Sequence, residues 1–483
     1  MSAAAAAVNG HATPATPADP AATMPPQTRI LPVDAAKLGS VTLSCPSPDA
    51  LLEDWDVVWP DTGSDIAHLR QAAAELQDGT LPVAFPTETV YGLGADATSS
   101  TAVRGIYTAK QRPSDNPLIV HIASLAQLRA LLRSPTDTTT RDADLIPPIY
   151  HPLIRRFWPG PLTIILPLPT PSPLAPEVTA GLSTFGARMP GSLVALLLLR
   201  LADRPVAAPS ANASTKPSPT AAEHVAHDLA GRIRTILDGG PCDIGVESTV
   251  VDGVSGDRPV ILRPGGVSID ELRRCEGWEH VGVAYKDKAE MDAAGNADGG
   301  KAGTKREAPR APGMKYRHYS PRAPVVLFEA GTGVPGRDAV QGKRKVGAIR
   351  TKKWPRGCGL PVSLPDARNG KGAGGEVAAV PASNGVQHQS SQGFSKMLDT
   401  LTVRPTPKPQ RLVSEDAGQE IWEVDLGVET KDIARGLFSA LRELDRKDVD
   451  IIFVEGIDEK EGDVAAAVMN RLRKAAEVEV KGS

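Results

Sequence analysis

Lys110 and Arg112 stand two residues apart, ahead of Asn116-Pro117. In a non-helical segment, side chains two apart leave on the same side, so these two cations face one spot and suit an anion of more than one charge. Upstream, Pro86-Thr87-Glu88-Thr89-Val90-Tyr91-Gly92-Leu93-Gly94 presents hydroxyls, one carboxylate and two glycines. Ser210-Ala211-Asn212 and Ser218 add hydroxyl and amide groups where a helix N-terminus could receive phosphate. Each piece also has a plainer reading. A Lys and an Arg at a helix end complement the last carbonyls, and Thr-Glu-Thr can satisfy its own turn.

The sequence contains no Gly-x-x-x-x-Gly-Lys-Ser/Thr loop, no Gly-x-Ser-x-Gly elbow and no clustered His or Cys, so covalent catalysis has no evident agent. The cations and hydroxyls suit a reaction whose difficulty is gathering anions, which positioning and electrostatic stabilisation overcome. A formal net charge of -3 over 483 residues argues against a chain that binds nucleic acid with its whole surface, although a local basic patch stays open. Four cysteines, at 45, 242, 275 and 358, form neither a metal spacing nor a disulfide framework, which suits a reducing compartment. No apolar run approaches the length of a membrane span. The expectation is a cytoplasmic protein, with import into mitochondria by an atypical signal left open, because the first Arg or Lys is Arg29.

The elements that must carry these groups follow from periodicity. Residues 81–85 read as a buried strand running into the Thr-Glu-Thr turn, preceded by an amphipathic helix over 65–77 with Ile66, Leu69, Ala73 and Leu76 on one face. Val103, Ile106 and Tyr107 mark a helix closing near Lys110; residues 118–122 form the next strand, on which His121 would ordinarily be a core-edge histidine. A short helix over 123–132 and a polar, proline-interrupted loop over 135–152 precede Phe157-Trp158-Pro159-Gly160-Pro161, whose aromatics read as core. Strands are expected over 162–166, 205–209, 233–237, 249–251 and 260–262, with an apolar helix over 193–201 and Arg188 on an extended segment. Thr220-x-x-Glu223 and Ser268-x-x-Glu271 have the capping-box pattern. By their residues alone, Ser248 and Arg263 read as structural.

Residues 1–45 are rich in Ala, Pro, Thr and Gly and read as a disordered N-terminal segment, followed by an α/β domain over 63–280. A flexible linker spans 281–323, ending in an unusually aromatic and basic run. A second α/β domain occupies 324–483, with strands at 325–328, 346–349, 421–426 and 451–455, helices near 433–444 and 463–476, and a low-complexity insert over 369–410. It lacks a Gly-x-Gly-x-x-Gly turn, so no dinucleotide is expected there. Residues 342–356 hold seven Lys or Arg and no acid, which reads first as a solvated basic loop and second as an RNA contact.

Six motifs, in order, carry a resemblance. They are 85–94, Lys110-x-Arg112-Pro113-x-x-Asn116-Pro117-Leu118-Ile119-Val120-His121, Phe157-Trp158-Pro159-Gly160-Pro161-Leu162-Thr163, Ala208-Pro209-Ser210-Ala211-Asn212, Glu247-Ser248-Thr249-Val250 and Leu262-Arg263-Pro264-Gly265. Together they resemble the YrdC-type threonylcarbamoyl-AMP synthases, and Pro312-Gly313-Met314-Lys315-Tyr316-Arg317-His318-Tyr319-Ser320-Pro321 resembles the linker of the long, two-domain form. The segment before and within the 193–201 helix departs from the family wording.

The resemblance implies an α/β fold: a YrdC-like twisted, mixed and parallel sheet with helices, plus a smaller Rossmann-like C-terminal domain. It implies ATP-dependent synthesis of threonylcarbamoyl-AMP from L-threonine, bicarbonate and ATP with release of pyrophosphate, with Mg²⁺ accompanying ATP. The product would pass to a separate tRNA threonylcarbamoyl transferase complex that modifies the adenosine beside the anticodon. Lys110 and Arg112 would be catalytic and would bind ATP with Asn116, Thr184, Ser210, Asn212, Ser218, Arg263 and a linker tyrosine, Tyr316 ahead of Tyr319. Thr89, His121, Arg188, Ala208 through its backbone, and Ser248 would hold threonine. Two alternatives stay open: a module binding tRNA or double-stranded RNA without chemistry, and a carbamoyl-handling subunit with another acceptor.

Overall fold

The computed structural model describes residues 25–44, 51–52, 54–114, 116–134, 136, 144–284, 318–363, 406–415 and 418–482. The first part runs β1 (Arg29–Pro32), β2 (Ser40–Ser44), β3 (Asp54–Val58), α1 (Ser64–Asp78), β4 (Val83–Phe85), β5 (Gly92–Asp96), α2 (Ser100–Lys110), β6 (Ile119–His121), α3 (Leu125–Leu132), α4 (His151–Phe157) and β7 (Leu162–Pro167). It continues through α5 (Pro176–Thr179), β8 (Thr184–Arg188), α6 (Leu193–Ala202), β9 (Val206–Ala207), α7 (Ala222–Leu229), β10 (Thr235–Asp238), β11 (Thr249–Asp252), β12 (Val260–Arg263), α8 (Ile269–Arg273) and β13 (Gly282–Val283). The second part holds β14 (Val325–Phe328), α9 (Arg337–Val340), β15 (Lys345–Arg350), β16 (Val362–Ser363), β17 (Gln410–Ser414), β18 (Glu420–Asp425), α10 (Thr430–Asp445), β19 (Ile451–Glu455), α11 (Asp463–Ala475) and β20 (Val478–Val480).

The larger sheet is mixed and has the order β1-β10-β4-β5-β9-β6-β8-β7-β11-β12-β13. Its central strands β4 and β6 are buried at every residue, and apart from His121 their residues are apolar. Helix α1 buries the stripe Ile66, Leu69, Ala72, Ala73 and Leu76, and left-handed Gly79 ends it by returning its N–H to Glu75 O. Helix α6, capped by Ser192, is buried on nearly every side, which its run of leucines dictates. Strand β5 squeezes between β4 and β9: a Cβ on Gly94 would lie 2.7 Å from both the Phe85 and Val206 side chains.

The smaller sheet has the order β16-β17-β18-β15-β19-β14-β20, parallel apart from the β16 and β17 edge. Helices α10 and α11 bury one core cluster with Val90, Val246 and Tyr319, so the two sheets share apolar packing. Two arginines cross between them. Arg442 of α10 donates to Pro217 O (3.0 Å, from Nε) and to buried Asp228 (2.7 Å). Arg471 of α11 donates to Glu247 (3.1 Å) and to Pro264 O (2.6 Å). Gly245, at φ +78°, lets the backbone turn touch α10; a Cβ there would sit 2.4 Å from Arg435 Cα.

Several expectations change. Residues 29–44 lie inside the expected disordered segment, yet β1 pairs in parallel with β10, and Leu31, Val33 and Leu38 are buried. Borrowed ladder hydrogen bonds and these few apolar side chains order a stretch whose composition alone would not. Lys110 is the last residue of α2, and left-handed Gln111 separates it from Arg112, so the cations converge around a helix cap and not along a strand. Thr220 does not cap α7: Ala221 is the N-cap, because the Thr220 N–H donates to His224 Nδ1 at 3.2 Å. Ser268 and Glu271 do form a capping box. The loop expected over 135–152 already contains a 3-10 turn at Pro148–Tyr150, and β8 is an interior strand between β6 and β7. Residues 282–283 of the expected linker form β13, and residue 410 of the expected insert opens β17.

Candidate active site

One cavity of about 470 Å³ lies over the centre of the larger sheet, within the size range of small-molecule sites. Two loops and one sheet face build it. The loop after β4 is folded by Thr87, whose hydroxyl donates to Val90 O at 2.6 Å and sits 2.9 Å from the Thr89 hydroxyl. The loop after β9 is stitched to it through Leu93 N to Pro209 O and Ala211 N to Tyr91 O, both 2.8 Å. On the sheet face, His121 and Arg188 are register partners on β6 and β8, so their side chains leave together.

Eleven of the expected site residues line this cavity: Thr89, Lys110, Arg112, Asn116, His121, Arg188, Ala208, Ser210, Asn212, Ser248 and Arg263. Three do not. Thr184 lines a much smaller neighbouring pocket with Ile119 and Gly186. Ser218 is fully buried behind the wall, donating to Glu247 at 2.6 Å. Tyr316 lies outside the described residues. Sequence reasoning passed over Glu247, Ser214, Thr215, Lys216 and His318, and ranked Tyr319 second; all six line the cavity. Glu247 and the His318-Tyr319 pair were inside quoted motifs, so the signal was present. Ser214 to Lys216 carried none.

Among the described residues, five cationic side chains face the cavity, Lys110, Arg112, Arg188, Lys216 and Arg263, against one carboxylate, Glu247. Lys110 is 2% exposed, and its ammonium donates to Ser210 O, to Asn212 O (2.7 Å) and to Asn212 Oδ1 (3.3 Å). Burial and then Arg112 push its pKa well down, but three acceptors need three N–H donors, which only the ammonium supplies. Lys110 therefore fixes the Ser210 to Asn212 loop. Arg188 donates to Gly160 O (3.1 Å), to Thr89 Oγ1 (3.0 Å) and to the Glu88 carboxylate, which aims its planar fork. Arg263 donates to Ser248 O (3.0 Å) and to Ser248 Oγ (3.1 Å), and Thr163 Oγ1 lies 2.8 Å from that same hydroxyl.

Both histidines are neutral at physiological pH. Burial and Arg188 hold His121 down to about 3; burial, Arg112 and Lys474 hold His318 down to about 4. Glu247 is ionised: burial alone would raise it, but Arg471 and Arg263 bring it down to about 2. Buried polar atoms without a protein partner mark where a ligand belongs. Asn116 offers both its amide oxygen and nitrogen, Ser214 its hydroxyl and His318 its Nε2. A cationic, partly unsatisfied cavity of this kind binds anions and hydrogen-bonding rings; none of its side chains is posed as a nucleophile beside a base.

Part of the basic stretch over 342–356 is paired within its own domain. Arg350 pairs with Glu423 (3.0 Å) and Asp425 (2.5 Å), Lys352 with Glu461, and Arg356 with Gln410 (2.9 Å). Among the described residues no group of His, Cys, Asp and Glu forms a metal cage, and no helix is long and apolar enough to cross a membrane.

Residues 75–265 match the family described as Telomere recombination, and residues 267–477 match the threonylcarbamoyl-AMP synthase C-terminal domain. A threonylcarbamoyl-AMP synthase of Schizosaccharomyces pombe is 41% identical over 436 residues, 86% of this chain and 89% of that one. The synthase of Bacillus subtilis is 40% identical, covering 84% of this chain and 92% of its own. The crystal structure of Pyrococcus abyssi Sua5 complexed with L-threonine superposes with a TM-score of 0.60 at 36% identity, over 86% of this chain and 96% of that one. A cavity that gathers anions, on a mixed sheet joined to a second α/β layer, thus coincides with similarity along most of the chain: it belongs to the threonylcarbamoyl-AMP synthases, nucleotidyltransferase-type enzymes, in their two-domain form.

Proposed function

We propose that this cavity joins L-threonine, bicarbonate and ATP into threonylcarbamoyl-AMP and releases pyrophosphate, supplying the group that a separate transferase complex places on the adenosine beside the tRNA anticodon. The observation that carries the reading is the five-to-one excess of cations over carboxylates around unsatisfied Asn116, Ser214 and His318. The threonine complex of the Pyrococcus abyssi relative supports it.

In this reading residues 63–280 are the catalytic unit, 281–323 the connecting linker and 324–483 a companion α/β domain. Threonine lies against His121, Ala208 and Ser248, its carboxylate on the fork of Arg188 and Thr89. Its amine attacks the bicarbonate carbon and loses water to give a carbamate. A carbamate oxygen then attacks the α-phosphorus of ATP, and the bond to the β-phosphate oxygen breaks, so pyrophosphate leaves. Arg112 meets phosphate charge directly, while Lys110 adds its charge and holds Ser210 and Asn212 in place. Asn116, Ser214, Arg263 and the His318-Tyr319 pair orient the nucleotide; Thr184 and Ser218 act from behind the wall, and Tyr316 belongs to the same linker run.

Mg²⁺ would come with ATP on its phosphate oxygens. Among the described residues the cavity's one carboxylate, Glu247, is already bonded to Ser218 and Arg471, so their donor set does not form a cage for the ion. A cytoplasmic location completes the proposal.

The test is pyrophosphate release from ATP with Mg²⁺, with each co-substrate omitted in turn, following the adenylate by chromatography. A threonine-containing adenylate formed only when threonine and bicarbonate are both present is the expected result. ATP cleavage indifferent to threonine, with salt-sensitive RNA binding, would overturn it.

A further inference from the structure

Glu247 is out of place in a cavity built for anions. Its carboxylate is buried, it is the single acid on the wall among the described residues, and the residue after it, Ser248, is bonded to Arg263. Left alone, such a carboxylate would repel a triphosphate or an amino-acid carboxylate. It is not alone. Ser218 donates to one oxygen at 2.6 Å, and Arg471 Nε donates to the other oxygen at 3.1 Å.

Arg471 comes from α11, in the C-terminal domain, and is 1% exposed. Its second arm, Nη1, donates to Pro264 O at 2.6 Å and to Ala467 O at 3.3 Å. One guanidinium therefore touches the residue before Ser248 and the residue after Arg263. Those are the two ends of the Ser248-Arg263 contact. The other arginine crossing between the sheets, Arg442, makes an equally buried pair with Asp228, which in turn holds Lys216 of the cavity wall at 3.2 Å.

We propose that Arg471 is a positioning residue for the synthase reaction: by cancelling the charge of Glu247 and holding Pro264, the C-terminal domain sets the net charge of the anion cavity and the aim of Arg263. This rests on the reading of the cavity as the ATP and threonine site. The domain is then part of the active site without touching substrate. The charged and titratable groups facing Glu247 are Arg471, Arg263, Tyr319 and His318.

The experiment uses the full chain and reads KM for ATP and kcat from pH 5.5 to 8 in R471M, R471K and E247Q/R471M. In R471M the KM for ATP rises about tenfold at pH 8. That rise shrinks relative to wild type towards pH 5.5, because an uncompensated Glu247 takes up a proton. E247Q/R471M recovers most of the loss. An unchanged KM in R471M, or a loss that neither pH nor E247Q relieves, would overturn the proposal and leave Arg471 a structural contact. Should R471M not fold, R471K decides: lysine keeps the charge but not the second arm, so KM holds while kcat falls, and wild-type kcat would overturn it. If wild type itself shows no ATP turnover, the cavity reading fails instead, a result distinct from all of these.

Discussion

The turn beside β19 and the cavity treat buried polar groups in opposite ways. At the end of β19 the carboxylate of Glu455 takes backbone N–H groups from Thr351 (2.6 Å), Lys353 (2.5 Å) and Trp354 (3.0 Å), which closes a turn that could otherwise hold an anion. Arg350 is likewise shared between Glu423 and Asp425. Over the larger sheet, Asn116, Ser214 and His318 keep polar atoms buried without a protein partner. A satisfied buried carboxylate holds a fold together, whereas an unsatisfied amide inside a cationic cavity costs stability that a ligand returns. The contrast separates a turn that supports the fold from a cavity built to take a ligand.

Substitutions can break that division or sharpen it. Arg112→Ala should lower pyrophosphate release by about 100-fold or more, with the thermal midpoint unchanged; near-normal turnover would remove Arg112 from the phosphate site. Glu455→Ala should do the reverse, costing about 2–4 kcal/mol in denaturant unfolding by orphaning three N–H groups. Its turnover, measured where the variant is folded, should stay within about twofold of wild type.

Asn116→Ala should raise the KM for ATP by about tenfold without loss of stability, since its amide satisfies nothing in the protein. Acid adds a pH arm. Glu247 sits at about 2 in the folded chain against 4.5 as a free side chain, so its contribution is full above 4.5 and fades as pH falls towards 2. Glu247→Gln should flatten that part of the stability profile in acid unfolding. Smallest of all, Lys352→Ala should cost less than about 1 kcal/mol, because its pair with Glu461 is partly exposed.

Periodicity placed most of the strands and long helices because their apolar stripes are strong: α1, α6, α10 and α11 begin and end within a few residues of expectation. What it missed depends on distant partners. Strand β1 exists through β10, more than 200 residues away, and β5 is hidden inside a motif that reads as a turn. In the site, Lys110, Arg112, Ser210 and Asn212 were legible from residue type, and Asn116, Arg188, Ser248 and Arg263 from motif order, whereas Ser214, Thr215 and Lys216 were not. Glu247 stood inside a motif but was passed over, because a carboxylate facing anions makes sense only once Arg471 is seen beside it. The work of Lys110 was not legible either, because its three acceptors come from a loop a hundred residues on.

The β1 and β10 pairing also bears on how the molecule is made. A ribosome releases Arg29–Pro32 early, but the partner strand Thr235–Asp238 emerges only after nearly all the sheet's centre has been synthesised. Until then one of the chain's oldest segments has no ladder to join, and the Thr28 hydroxyl, which takes the Gly231 N–H at 2.9 Å, has no clasp to close. The first strand translated is thus among the last to dock, and it seals the border of a sheet whose interior is already complete.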